Sequence, residues 1–227
     1  MSITATVDLR HLFGPARDQG PRPTCLAFAA SDLHAALREG WSTLSCEYIF
    51  YHAQQRAKRT VNEGATLASM LAALREDGQP AEGGWPYLTG TPVDPSRWKP
   101  PSGASPVFRR AGAPGADTVD AIIADLDQGQ PVITLMRLSR SFYRPGPGGV
   151  VDAGPNEQPE FHRRHAVIAL GHGTAPGQRV VLVRNSWGSG WGVSGYAWIT
   201  EKFLRPRVFR LAKLMEDLSV SPSFAAA

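Results

Sequence analysis

The spacing of apolar residues changes once along this chain, near Gly129, and that change restricts the folds open to it. Upstream, apolar positions recur at helical intervals. Leu26, Ala29, Ala30, Leu33 and Leu37 share one face. They follow Pro21 and Pro23, which fix φ and keep a helix from starting earlier; Gly40 is the predicted stop. Ser45 caps a second helix over "CEYIFYHAQQRAK", with Glu47 in its first turn. Thr66 caps a third, in which Leu67, Met70, Leu71 and Leu74 align and Asp77-Gly78 closes the last turn. Residues 79–116 are rich in proline and glycine and read as irregular loop. Asp117 or Thr118 starts a short helix carrying Val119, Ile122, Ile123 and Leu126, which Gly129 ends. Downstream come β-favouring runs at 131–138, 165–172, 179–186, 195–200 and 207–214. The long loop 139–163 is of a length that is either functional or mobile. A helix-rich half followed by a strand-rich half is an α+β pattern, with two lobes and a cleft between them.

Composition narrows the function classes. With 227 residues, 42% hydrophobic and 19% charged, the chain can bury a sizeable core. Its net charge of +4 comes mainly from arginines spread along the chain, which reads as solvated surface. No nucleic-acid partner and no membrane partner are expected, and nothing fixes the oligomeric state. The N-terminus has neither the basic start nor the apolar stretch of a signal peptide. Two cysteines, Cys25 and Cys46, make no disulfide framework, which suits the cytoplasm or export without bridges, as for a delivered effector. Cys46 is expected to be a packing residue. His162 and His165 form H-x-x-H without a third ligand, so no metal and no cofactor are expected. "GWGVSG" fits G-x-G-x-x-G in letters only, because a strand pattern follows it where a dinucleotide site needs a helix.

Cys25 is the residue with a chemical address. It stands at the first step of the first helix, where unpaired N–H groups and the positive end of the macrodipole favour a thiolate. A nucleophilic thiol also needs a base, a group to orient the base, and donors for an oxyanion. His165 opens one strand and Asn185 ends the next, so two neighbouring strands can bring an imidazole and a carboxamide together. Trp187 can cover their hydrogen bond. Gln19, upstream of Cys25, can turn its amide toward the sulfur and form an oxyanion hole with the Cys25 N–H.

These pieces, "DQGPRPTCLAFA", "GWPY", "GQPVITL", "FYRPGPGGVV", "HAVIALGHG" and "NSWGSGWGVSGYAWI", resemble the papain-like cysteine proteases in content and order over most of the chain. The resemblance implies a two-lobed fold, a helical N-terminal lobe against a β-barrel-like C-terminal lobe with the active-site cleft between. It divides one peptidase domain, 1–227, into a helical lobe over 20–116, a β-rich lobe over 117–216 and a flexible tail over 217–227. It implies a cysteine endopeptidase acting on peptide or protein substrates through an acyl-thioester. Cys25 becomes nucleophile, His165 base and then acid, Asn185 orienter, Gln19 oxyanion donor and Trp187 a supporting residue. Thiolate and imidazolium form an ion pair across the cleft. Gly64 marks the edge that pairs with substrate backbone, and Leu135 and Ala166 border the pocket for the second residue before the scissile bond. The same acyl-enzyme serves a transpeptidase or isopeptidase, and the fold without turnover serves as a binding module. The chain departs from the family pattern at Arg22, Thr24 and Leu26 around the nucleophile and at Arg164 before the histidine. Those departures and the Ala-, Arg-, Pro- and Gly-rich composition suggest a divergent bacterial member without the usual disulfides. No inhibitory pro-segment is expected before residue 18.

Overall fold

A computed structural model of the chain describes residues 2–219. Its first half carries three helices, α1 (Cys25–Ala36), α2 (Cys46–Ala57) and α3 (Leu67–Glu76). The predicted caps form: Ser45 Oγ accepts from the Tyr48 N–H and Thr66 Oγ1 from the Ser69 N–H. Gly78 takes φ +71° just past α3, as a helix stop requires. A fourth helix, α4 (Val119–Asp127), is capped by Thr118. Two one-turn helices, α5 (Arg140–Tyr143) and α6 (Glu201–Leu204), were not foreseen.

The strands are β1 (Thr4–Asp8), β2 (Arg110–Gly115), β3 (Val132–Arg137), β4 (Val150–Val151), β5 (Arg164–Ala175), β6 (Gln178–Arg184), β7 (Tyr196–Thr200) and β8 (Val208–Asp217). They form one 8-stranded sheet in the order β2-β8-β3-β5-β6-β7-β4, with β1 also on β5. The architecture is α+β and two-lobed. Strand β5 is central because both its faces are buried. Ala166, Ile168 and Leu170 pack with Leu33, Ile49 and Met70 of the helices. Val167 and Ala169 pack with Ile122, Leu126 and Phe203 behind the sheet. A strand covered on both faces reads as an unbroken apolar run, which "HAVIALGH" is.

Three expectations need correction. Residues 110–115 are not loop, because β2 pairs with β8. The strand escapes notice because "RAGAPG" carries two glycines and a proline, which the end position in a sheet tolerates. Asp217 and its neighbours do not begin a loose tail, since β8 runs to Asp217 and Leu218 N–H bonds to the Arg109 carbonyl; residues 220–227 lie outside the described ones. The arginines are not all solvated: Arg22, Arg184 and Arg207 are almost fully buried. Segment β1 was also unseen. It reaches β5 because Gly171 and Gly173 have no Cβ, which would lie 2.5 Å from the Val7 oxygen and 2.3 Å from the Thr4 oxygen.

The buried arginines tie the pieces together. Arg184, at the end of β6, donates to Asp32 of α1 at 2.9 Å, and Arg17 donates to the other oxygen at 2.9 Å. Arg184 also holds the Gly14 and Pro15 carbonyls and the Tyr196 hydroxyl. Arg17 reaches Cys46 Sγ at 2.6 Å. Cys46 is fully buried, as expected, and burial pushes its thiol up to about 12. Glu47 does the same service for the irregular segment. Its carboxylate accepts from Arg22, Trp98 Nε1 and the Leu88 N–H, so the proline-rich stretch is anchored to the first turn of α2.

Two outcomes follow for stability. Asp32→Asn leaves the buried Arg184 guanidinium without its carboxylate, while the partly buried Arg17 keeps Glu82 at 3.2 Å, a loss of about 3 kcal/mol, measurable as a lower urea midpoint. The second concerns His34, which is buried on α1 with Nδ1 on Gln79 Oε1 at 3.0 Å and Nε2 without an acceptor. Burial pushes it down to about 4, against the pull of Gln79. The unfolded imidazole takes a proton near its ordinary pKa of about 6.5 and the folded one does not until about 4. This contribution is therefore intact above about 6.5 and is lost as pH falls to about 4. His34→Gln should flatten the fall in stability between those limits by up to about 3 kcal/mol, read from denaturation midpoints across the range.

Candidate active site

The candidate residues converge from four elements. Cys25 is the first residue of α1, His165 lies one residue into β5, Asn185 follows β6, and Gln19 precedes the proline turn. Gln19 is aligned by an isolated bridge, Asp18 to Trp187, and by its N–H on the Ser186 carbonyl at 2.8 Å. The start of the chain and the end of β6 therefore meet beside the α1 N-terminus. Cys25 and His165 line one cavity of about 520 Å³, together with Gly64, Leu135 and Ala166. Both cysteines are free thiols.

The imidazole orientation can be read from donors that cannot accept. His165 Nε2 lies 2.7 Å from Asn185 Oδ1, and that same oxygen takes the Ser186 N–H at 2.8 Å. A backbone N–H can only donate, so the Asn185 atom is the carbonyl oxygen and His165 Nε2 must carry the proton. Nδ1 keeps its lone pair. The remaining Asn185 amide nitrogen is buried without an acceptor. Aromatic rings shield the pair. Trp187 lies 4.7 Å from the imidazole, centre to centre, and Phe142 lies 5.8 Å away. Tyr143 stacks on Trp187 at 5.5 Å.

Gln19 is held at both ends of its amide. Oε1 accepts from Ser186 Oγ at 2.6 Å, and Nε2 donates to the Arg22 carbonyl at 2.8 Å. One Nε2 proton is thereby engaged and the amide plane is set. Ser186, Phe142 and Tyr143 escaped the sequence reading. Ser186 had a signal in its place beside Asn185, but nothing in the sequence marks the partner of its hydroxyl. Phe142 sits in the long loop, which is pinned by Glu157: its carboxylate accepts from the Ser141 and Gly154 N–H groups and its pKa is held down to about 2, where these bonds outweigh desolvation.

Burial dominates the electrostatics. It pushes the Cys25 thiol up, against the pull of the Ala166, Leu26 and Cys25 backbone amides. It pushes His165 down to about 4, against the hydrogen bond to Asn185. Each ion alone is disfavoured in this site. Among the described residues no cluster of three or more His, Cys, Asp or Glu side chains is placed to hold a metal ion, and His162 packs on Phe161. No helix among those residues is long and apolar enough to cross a membrane. The glycines of "GWGVSG" make a tight turn: Gly192 has φ +60°, and a Cβ there would lie 2.1 Å from the Tyr196 oxygen.

Comparison with known proteins agrees with this architecture. Xylellain, a cysteine protease from Xylella fastidiosa, superposes with a TM-score of 0.74 at 22% identity, covering 94% of this chain and 86% of that one. The Carica candamarcensis cysteine protease CMS1MS2 gives 0.67 at 20% identity over 92% and 97% of the two chains. In sequence, cysteine proteinase 3 of Entamoeba histolytica is 26% identical over 198 residues, and cathepsin J of Mus musculus is 27% identical over 200. These matches take in 84% and 82% of this chain but only 61% and 57% of those relatives. The sequence model of the papain family cysteine proteases matches residues 3–205, and the chain belongs to that family.

Proposed function

We propose that this chain is a cysteine endopeptidase that hydrolyses peptide or protein substrates, with Cys25 as nucleophile. The supporting observation is the proton order at His165. With Nε2–H committed to Asn185, the lone pair on Nδ1 is the acceptor left for the Cys25 proton. Deprotonation makes thiolate and imidazolium together, so each supplies the counter-charge that burial withholds from either alone. The thiolate adds to the carbonyl carbon of the scissile bond. The oxyanion is met by the Cys25 N–H and the uncommitted Nε2 proton of Gln19, whose plane Ser186 and Arg22 fix. Imidazolium protonates the leaving amine, and the tetrahedral adduct collapses to a thioester. His165 then takes a proton from water, which attacks the thioester and frees the carboxylate and the thiol. Trp187 and Phe142 keep bulk water from the His165–Asn185 bond. Gly64 provides backbone for the substrate, and Leu135 and Ala166 wall the pocket for the second residue before the scissile bond. With both cysteines free, the enzyme is suited to a reducing compartment.

Peptide-library cleavage tests this reading. Cys25→Ala should lose about 10³-fold or more in kcat/KM, and wild-type rates in that variant would refute the assignment. Asn185→Ala should cost about 10²-fold, mainly in kcat, with Cys25 still labelled by a thiol-directed epoxide. The pH profile carries a further outcome. A neutral His165 is the competent base, so activity is present above its pKa and disappears below it. With that pKa pushed down to about 4 by burial, the acid limb of kcat/KM should fall near pH 4 and not near 6.5.

A further inference from the structure

The cavity that begins at Cys25 and His165 is not electrically neutral. Three of its lining residues, Arg59, Arg164 and Arg210, carry guanidinium groups, and none of its described lining residues is acidic. Two of the three cations are already engaged. Arg210 Nη1 lies 2.6 Å from Asp117, while Arg59 donates to the Gly64 carbonyl with Glu63 at 3.9 Å. Arg164 meets no carboxylate among the described residues. Its cross-strand partner in β3 is Arg137, which also meets none there and whose buried Nε has no acceptor.

Like charges directly opposite each other weaken a strand pair. Here aromatic faces hold both cations in place. Arg137 Cζ lies 4.8 Å from the Phe161 ring centre and 5.7 Å from that of Phe209; Arg164 Cζ lies 5.7 Å and 5.8 Å from the same rings. Such contacts stabilise a guanidinium without cancelling its charge. The result is a preorganised positive corner, open to solvent at Arg164, on a cavity otherwise walled by Leu67, Ala68, Leu135 and Ala166.

We propose that this cavity selects an acidic residue of the substrate, glutamate before aspartate, with its carboxylate on Arg164. The apolar wall covers a methylene stem and the guanidinium takes the anionic end in a charge-assisted bond. The longer stem of glutamate reaches from wall to rim. An acidic side chain also supplies the counter-charge that the Arg137–Arg164 pair lacks. This assignment rests on the peptidase reading above and names the class of substrate for that same site.

The experiment compares peptides that differ only in the residue second before the scissile bond: Glu, Gln, Asp or Leu. Each is assayed with the wild type, Cys25→Ala, Arg164→Gln and Arg164→Glu, and epoxide labelling counts competent sites. Gln matches Glu in shape, so their ratio isolates the charge. We expect kcat/KM for Glu to exceed that for Gln by about fivefold at low ionic strength, and the ratio to shrink at high salt. Arg164→Gln should bring it close to one, and Arg164→Glu should invert it. Cys25-dependent cleavage in which Gln or Leu equals or beats Glu overturns the acidic preference and leaves the peptidase intact. A Glu preference unchanged in Arg164→Gln overturns the role given to Arg164. Absence of Cys25-dependent cleavage of every peptide overturns both readings.

Discussion

Asp32 is the point on which the geometry of this protein turns. It lies on α1, the helix that begins with Cys25, and its two carboxylate oxygens face different parts of the chain: Arg17 from the N-terminal segment and Arg184 from the end of β6. The residue after Arg184 is Asn185. One buried carboxylate therefore sets the distance between the helix that carries the thiol and the strand that carries the carboxamide. Because Arg184 also closes on the Gly14 and Pro15 carbonyls, the chain leading to Gln19 is held by the same guanidinium. Apolar packing between α1 and β5 supplies the area of contact, but packing alone permits sliding. Directional bonds to a guanidinium fork do not, which is the use of an arginine in place of a lysine at such a junction.

Much of this was open to reading in the sequence, for physical reasons that can be named. Helix starts were legible because Ser45, Thr66 and Thr118 perform a local function, capping, that depends on nothing distant. The strands β3, β5, β6, β7 and β8 were legible because burial on one or both faces leaves a run of β-favouring residues. Strands β1 and β2 were not. The first is largely exposed and the second is interrupted by Gly112, Pro114 and Gly115, so neither carries an apolar signature, and each is a strand only because a neighbour offers it an open edge. The buried arginines were misread for the complementary reason. A charge signals solvent until its partners are known, and the partners of Arg22 and Arg184 stand 25 and 152 residues away in the chain.

The same division holds in the site. The candidates Cys25, His165 and Asn185 could be proposed from the sequence because a helix start and two strand ends are local features, and the order of the pieces resembles a known family. Ser186, Phe142 and Tyr143 could not, because their roles exist only through contacts across the fold. Phe142 in particular sits in a stretch of prolines and glycines that reads as loop, yet its ring is fully buried among His165, Trp187, Trp191 and Phe203. A loop that buries an aromatic residue behind the imidazole, and ties itself down through Glu157 and Arg207, belongs to the wall of the site.

The polarity of the proposed reaction descends from a single backbone amide. The Ser186 N–H can only give its proton, so it selects the oxygen of Asn185; that oxygen can only accept, so it draws the proton of His165 onto Nε2; and a neutral imidazole with Nε2–H has its one basic site at Nδ1. Reversing the Asn185 amide would set an NH₂ against a backbone N–H and leave two donors facing each other in a buried place. The structure instead leaves the Asn185 amide nitrogen without an acceptor. An unpaired buried donor costs free energy, but here it is the cheaper error, because the alternative would both lose the bond to the Ser186 N–H and turn the imidazole to the tautomer that cannot take a proton at Nδ1. The Ser186 hydroxyl extends the same logic to Gln19, donating to its oxygen so that its nitrogen is turned away from Ser186. Main chain and side chain of one serine thus orient both amides of the site.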